Sequence, residues 1–265
     1  NVYIMSANRS AIGGFGGTLK NHCPVDLGTL VAKEAIARSG YEANEVEHAV
    51  FGNVIHTEPR DMYVSRVIAL QAGMDKASAA LTVNRLCGSG LQAIVSASQI
   101  LMLGDASVAI AGGVEVMSNG AHIVQGFRWG SRMGDGQVHD MMLGALHDPF
   151  GHGHMGITAE NISSRYQISR EMQDEFALTS QKRAYEAIEN GAFKDQILPI
   201  EIKTRKGIEI FEIDEHPKPE TSMETLTGLR TAFKKDGVVT AGNASGINDG
   251  ASALILANEE KAKKG

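Results

Sequence analysis

The chain has 265 residues, 43% of them hydrophobic, and a net charge of -6, enough to bury a sizeable core as one large domain or two. With 25 Lys and Arg against 31 Asp and Glu, it lacks the basic footprint of a nucleic-acid-binding protein. No apolar run reads as the ~18 to 20 residues of a membrane span, and no signal-peptide pattern opens the chain. Two cysteines in dissimilar contexts, Cys23 and Cys87, suggest neither a disulfide framework nor a cysteine zinc site. The expectation is a soluble, cytoplasmic protein.

In chain order, Val2 to Ser6 reads as a strand and residues 12 to 17, four of them glycine, as a loop without the G-x-G-x-x-G register of a dinucleotide site. Pro24 and Asp26 open a helix with apolar positions Leu27, Leu30, Val31, Ala35 and Ile36, and Gly40 ends it. Val46 to Val54 reads as a strand, 62 to 72 as a helix, and Ala79 to Val83 as a strand. Leu91, Ile94, Val95, Ile100 and Leu101 then follow at helical spacing. Ser107 to Gly113 is a short continuous apolar run, as expected of a strand buried on both faces. This alternation predicts an α/β layered domain.

Between the Ala79 to Val83 strand and the next helix lies Asn84-Arg85-Leu86-Cys87-Gly88-Ser89-Gly90. A thiol at a strand-to-helix turn meets the unpaired N–H groups and partial positive charge of a helix start, which favour thiolate. Glycines on either side of Ser89 let a substrate approach the backbone. Cys87 is therefore the candidate nucleophile; the alternative is a buried, inert cysteine.

From about 119 to 157 no period is sustained, and Met, Gly, His and Asp dominate. Such a length without regular structure reads as a functional excursion. Thr158 to Arg165 and Ser169 to Asn190 read as helices, and Gln196 to Lys203 with Ile208 to Ile213 as an antiparallel pair. After the turn-dense Gly242 to Gly250, Ala251 to Leu256 reads as a buried strand, and Asn258 caps a last helix to Gly265.

Four segments together resemble the thiolases: the residues around Cys87, Gly112-Gly113-Val114-Glu115-Val116-Met117-Ser118, His154-Met155-Gly156-Ile157-Thr158-Ala159-Glu160-Asn161, and Thr240 to Asp249. More narrowly, the chain resembles the acetyl-CoA acetyltransferase and bacterial β-ketothiolase branch, along nearly its whole length. The resemblance implies a layered α/β βαβαβαββ half, residues 1–118 and 249–265, with an inserted α+β loop domain, 119–248. The family's C-terminal domain is expected to be absent from these residues, since no Gly-His-Pro, Cys-x-Gly-Gly-Gly or Asn-Glu-Ala-Phe motif occurs.

By resemblance Cys87 forms an acyl-enzyme from acyl-CoA or 3-ketoacyl-CoA, and its N–H contributes to an oxyanion hole. His154 and Met155, with Leu146 nearby, would border the pantetheine and acyl channel. Ser245 would hydrogen-bond pantetheine, Ala241 and Phe233 would line its path, and Lys218 stands where many relatives carry an arginine near the nucleotide. Coenzyme A thioesters are the implied substrates, with no metal or redox cofactor, and a homodimer or homotetramer is implied. The bland alternatives are metal binding by His147, Asp148, His152 and His154, turn hydrogen bonds for Asn243 and Ser245, and core packing for Met155 and Phe233. Competing functions are another condensing enzyme of the superfamily and a truncated acyl-CoA-binding or assembly module. The residues present are expected to lack turnover alone.

Overall fold

The computed structural model describes residues 1–264, which form two compact units. The first comprises 1–121, 195–215 and 248–264, and the second 122–194 and 216–247. Residues 195–215 thus fall in the first unit, whereas the sequence reading placed them in the insertion. The reason is pairing: Ile197 and Leu198 lie parallel to Arg9 and Ser10. Asp214 then receives Arg9 Nη1 at 2.8 Å, Arg9 Nη2 at 3.0 Å and the Ile12 N–H at 2.7 Å.

The first unit carries a mixed sheet. Its strands run in the order Ile197–Leu198, Val2–Ser10, Asn248–Asn258, Val108–Val116, His48–Gly52 and Ala79–Val83, with Gly13–Gly14 paired to the start of Asn248–Asn258. The last three are mutually parallel, whereas Asn248–Asn258 runs antiparallel to both neighbours. Helices Pro24–Ser39, Val64–Gln71 and Ser89–Leu103 connect the successive strands, which yields the expected βαβαβαββ order. Gly40, at φ 81°, ends the first helix where only glycine is unstrained.

Helices cover both sheet faces. Along Val108–Val116, Ala109 and Ala111 turn to Ala93, Ala97 and Leu101 of the Ser89–Leu103 helix. Val114, of opposite parity, turns to the Pro24–Ser39 helix beside Gly28. Asn53 and Glu115 fix the chain leaving His48–Gly52. The Glu115 carboxylate accepts from Asn53 Nδ2 at 2.5 Å and from the Val54 and Ile55 N–H groups at 3.0 and 3.2 Å, while burial raises its pKa.

Three sequence expectations change. The antiparallel pair is Ile200–Thr204 with Gly207–Phe211, and Ile197–Leu198 joins the main sheet instead. Asn258 does cap a helix, accepting from the Lys261 N–H at 3.0 Å, but that helix is the single turn Glu259–Ala262; Gly265 lies outside the described residues. The 18 residues Leu86–Leu103, with mean hydropathy 1.5, are long and apolar enough to cross a membrane, contrary to the expectation of no such run. Serines and glutamines had masked it in the sequence. Its buried face sits on the sheet, while Leu91, Val95, Met102 and Leu103 are exposed.

The close approach at Gly52 constrains the turn that carries Cys87. A Cβ there would lie 2.7 Å from the Ser89 Cβ and 2.9 Å from its carbonyl carbon. Gly52→Ala is therefore expected to cost about 1–3 kcal/mol, seen as a lower urea midpoint; an unchanged midpoint would show that the turn yields freely.

Candidate active site

Cys87 lies in the turn between Ala79–Val83 and Ser89–Leu103, two residues before the helix starts, and is exposed. Among the described residues the thiol is therefore not buried. The turn is built by local hydrogen bonds. The Gly88 N–H donates to the Arg85 carbonyl at 3.1 Å and the Ser89 N–H to the Leu86 carbonyl at 2.9 Å. Ser89 Oγ donates to the Leu86 carbonyl at 2.6 Å and accepts from the Arg85 N–H at 2.8 Å. Leu86 itself is left-handed, at φ 48°, a conformation uncommon for leucine. Beneath the turn, Gly90 packs on Gly113, where a Cβ on Gly113 would be 3.7 Å from the Gly90 Cα. Among the described residues no side chain hydrogen-bonds the Cys87 thiol.

The other sequence-predicted residues belong to the second unit, where four of them converge. His154 caps the helix Met155–Tyr166, its Nδ1 accepting from the Gly156 N–H at 3.0 Å. Its ring stacks on Phe233 at 4.7 Å between centroids and 20° between planes, and meets His147 edge-on at 5.0 Å. Gly156 leaves room for this ring, since a Cβ there would overlap Phe233. The Met155 N–H donates to the Leu146 carbonyl at 2.8 Å, and the Met155 side chain is exposed. Desolvation and the neighbouring His147 hold the His154 pKa below its ordinary value, as suits a ring nitrogen that accepts from a helix start.

This geometry gives the histidine cluster structural duties. Besides the His154 cap, His147 Nδ1 lies 2.7 Å from the Leu143 carbonyl, and one Asp148 oxygen accepts from the Phe150 and His152 N–H groups at 2.9 and 3.0 Å. No group of three or more metal-ligating side chains occurs among the described residues.

Ala241, Ser245 and Lys218 lie elsewhere in this unit and are all exposed. The Lys218 backbone is fixed, its N–H donating to Gln181 Oε1 at 2.8 Å and its carbonyl accepting from Thr221. Its ammonium makes no ion pair among the described residues. Asn243 takes up turn duties: Oδ1 accepts from the Thr240 N–H at 2.7 Å, and Nδ2 donates to the Val238 carbonyl and to Asp174. Ser245 makes no such bond among the described residues.

Sequence reasoning missed the two carboxylates that organise this loop. Glu160, almost fully buried, accepts from the Val238 N–H at 3.0 Å and the Val239 N–H at 2.8 Å. Asp174, fully buried, receives Arg170 Nε at 2.7 Å and Asn243 Nδ2 at 2.9 Å. Their signal was faint: Glu160 shares a helix face with the capped Gly156, four residues earlier. Cys23 is the contrasting thiol. Its Sγ donates to Asp26 at 2.9 Å, and burial first, then that acceptor, push its pKa up to about 11.

The family model for the thiolase N-terminal domain matches residues 2–260. The chain belongs to the thiolase family. It is 54% identical over 264 residues to the β-ketothiolase BktB of Cupriavidus necator, covering 99% of this chain and 67% of that one. It is 40% identical to the human mitochondrial 3-ketoacyl-CoA thiolase, covering 99% and 66%. Among solved structures, the acetyl-CoA acetyltransferase of Bacillus anthracis superposes with a TM-score of 0.96 at 47% identity, covering 100% and 67%. The human mitochondrial 3-ketoacyl-CoA thiolase in complex with CoA superposes with a TM-score of 0.94 at 39% identity, covering 99% and 66%. The chain thus spans about two thirds of the length of these relatives, which are acyltransferases by name.

Two outcomes follow for this thiolase chain. Iodoacetamide at neutral pH should label Cys87 well before Cys23, because a thiol with a pKa near 11 is almost wholly protonated there; peptide mapping showing Cys23 labelled first would contradict this. The lowered His154 pKa means folding favours the neutral ring. That contribution is complete above the ordinary value of 6.5 and is lost as pH falls through the lower folded value. Thermal melts from pH 7 to 5 should show the wild type losing stability faster than His154→Asn, which keeps a capping acceptor without the titration.

Proposed function

We propose that this chain carries the nucleophile of an acyl-CoA C-acyltransferase, with Cys87 as the acyl-accepting residue. The supporting observation is an exposed thiol on a pinned turn before a helix, in the segment whose sequence resembles the thiolase nucleophile. Cys87 Sγ attacks the thioester carbonyl of an acyl-CoA, the carbon–sulfur bond to CoA breaks, and CoA leaves as the thiol. The product, itself a thioester, keeps the acyl carbonyl electrophilic for the second half-reaction. Condensation of two acetyl-CoA to acetoacetyl-CoA, or thiolysis of a 3-ketoacyl-CoA in reverse, follows from the same intermediate. This route needs no metal, because the thiol supplies the nucleophile and the thioester is already activated.

For CoA we assign the second unit. The exposed Met155 beside the stacked His154 and Phe233, with Leu146 behind, offers an apolar surface for pantetheine. Ser245 has a hydroxyl unengaged among the described residues to offer an amide, Ala241 is exposed four residues before it, and Lys218 offers a charge to the nucleotide phosphates. The protein is further proposed to act in the cytoplasm as a homodimer or homotetramer. Because no base contacts the Cys87 thiol among the described residues, these 265 residues alone are proposed to accept an acyl group without sustained turnover.

The test is Cys87→Ala in the complete protein. Thiolysis of acetoacetyl-CoA should fall by roughly a thousandfold or more, with melting temperature little changed. Retention of near-wild-type thiolysis would sink the assignment.

A further inference from the structure

Among the described residues, the Leu86–Cys87 peptide is gripped on one side only. Its carbonyl accepts twice, from Ser89 Oγ at 2.6 Å and the Ser89 N–H at 2.9 Å. In a trans peptide the C=O and the following N–H point in opposite directions. Both bonds draw the Leu86 carbonyl toward the helix start, so the Cys87 N–H on the same plane is turned the other way, and neither clamp uses it. Holding this plane requires Leu86 at φ 48°, which an unrestrained leucine avoids. Ser89, only 5% exposed, cannot swing out, and Gly52 lets its Cβ and carbonyl sit against the sheet. Ser89 also accepts the Arg85 N–H at 2.8 Å, which fixes the direction of its own proton toward Leu86.

We propose that the Ser89 hydroxyl is a positioning residue for acyl transfer: through the Leu86 carbonyl it aims the Cys87 N–H as a fixed donor at the oxyanion formed when Cys87 attacks a thioester. This rests on the reading of Cys87 as nucleophile. In the step, the Sγ–carbon bond forms as the carbonyl π pair moves onto oxygen. That pair returns as the bond to CoA sulfur breaks, and the proton lost from Cys87 ends on the departing CoA thiol. Charge resides on the oxygen only in the tetrahedral species, so a donor fixed beforehand acts on that species most strongly. Ser89 touches none of the reacting atoms.

Two rates on one cysteine separate this role from a structural one. Acetylation by acetyl-CoA passes through an oxyanion, whereas alkylation by iodoacetamide does not. In Ser89→Ala, the acetylation rate of Cys87 should fall by about tenfold or more, with alkylation changing by less than about twofold. Equal losses in both rates, or an unchanged ratio, would overturn the proposal. If Ser89→Ala does not fold, amide hydrogen exchange on the unaltered protein decides. The Cys87 N–H should exchange fast and the Ser89 N–H slowly; slow exchange at Cys87 contradicts the proposed geometry. Should wild-type Cys87 accept no acetyl group at all, the functional reading fails, while the exchange measurement still reports on the turn.

Discussion

The first unit depends on one close approach, where residues 89–90 after the Cys87 turn sit against Gly52, the last residue of one strand, and Gly113, inside the neighbouring parallel strand. Gly52 and Gly113 contribute no side chain of their own toward residues 89–90, so the helix Ser89–Leu103 can start directly on the sheet. The alanine stripe that follows, Ala93 and Ala97 against Ala109 and Ala111, continues the same short separation along the helix. A larger residue at any of these positions would tilt the helix and move its first turn. The thiol is therefore placed by small residues it does not touch.

The second unit uses a different device. Several of its CoA-candidate residues, Lys218, Phe233, Ala241 and Ser245, sit on irregular segments, which need partners for their backbone groups. Buried Glu160 supplies two of them to Val238 and Val239, while Asp174 and Asn243 hold the turn that follows. His154 serves both as helix cap and as stacking partner of Phe233. Exposed Met155, Ala241 and Ser245 thus project from a framework of buried carboxylates, whose loss would loosen the loop before altering any group a ligand could meet.

Most of the first unit was legible in the sequence because its signals are local. Pro24 and Gly40 bracket a helix, and Ala79–Val83 lies before a cysteine followed by Gly88-Ser89-Gly90. What stayed hidden depends on distant residues. Nothing in Ile197–Leu198 announces a parallel pairing with Arg9 and Ser10, nor in Asp214 a bidentate bond to Arg9, so the insertion's boundary could not be read. The length and apolarity of Leu86–Leu103 are hard to read from sequence because Ser89, Gln92, Ser96 and Gln99 recur at i, i+3, i+7 and i+10, the stripe of an ordinary amphipathic helix. In the candidate site Cys87 was evident from turn chemistry. The remaining residues came from resemblance alone, and Glu160 and Asp174 were missed because an acidic residue on a helix ordinarily faces water.

The central claim is that Cys87 takes the acyl group. Its most direct measurement is acid quenching after brief exposure to radiolabelled acetyl-CoA, followed by peptide sequencing to locate the label. The account predicts one acetyl group, on the peptide containing Cys87, released by neutral hydroxylamine as a thioester should be. Label on Cys23, on a serine or lysine, or on no residue at all would contradict it.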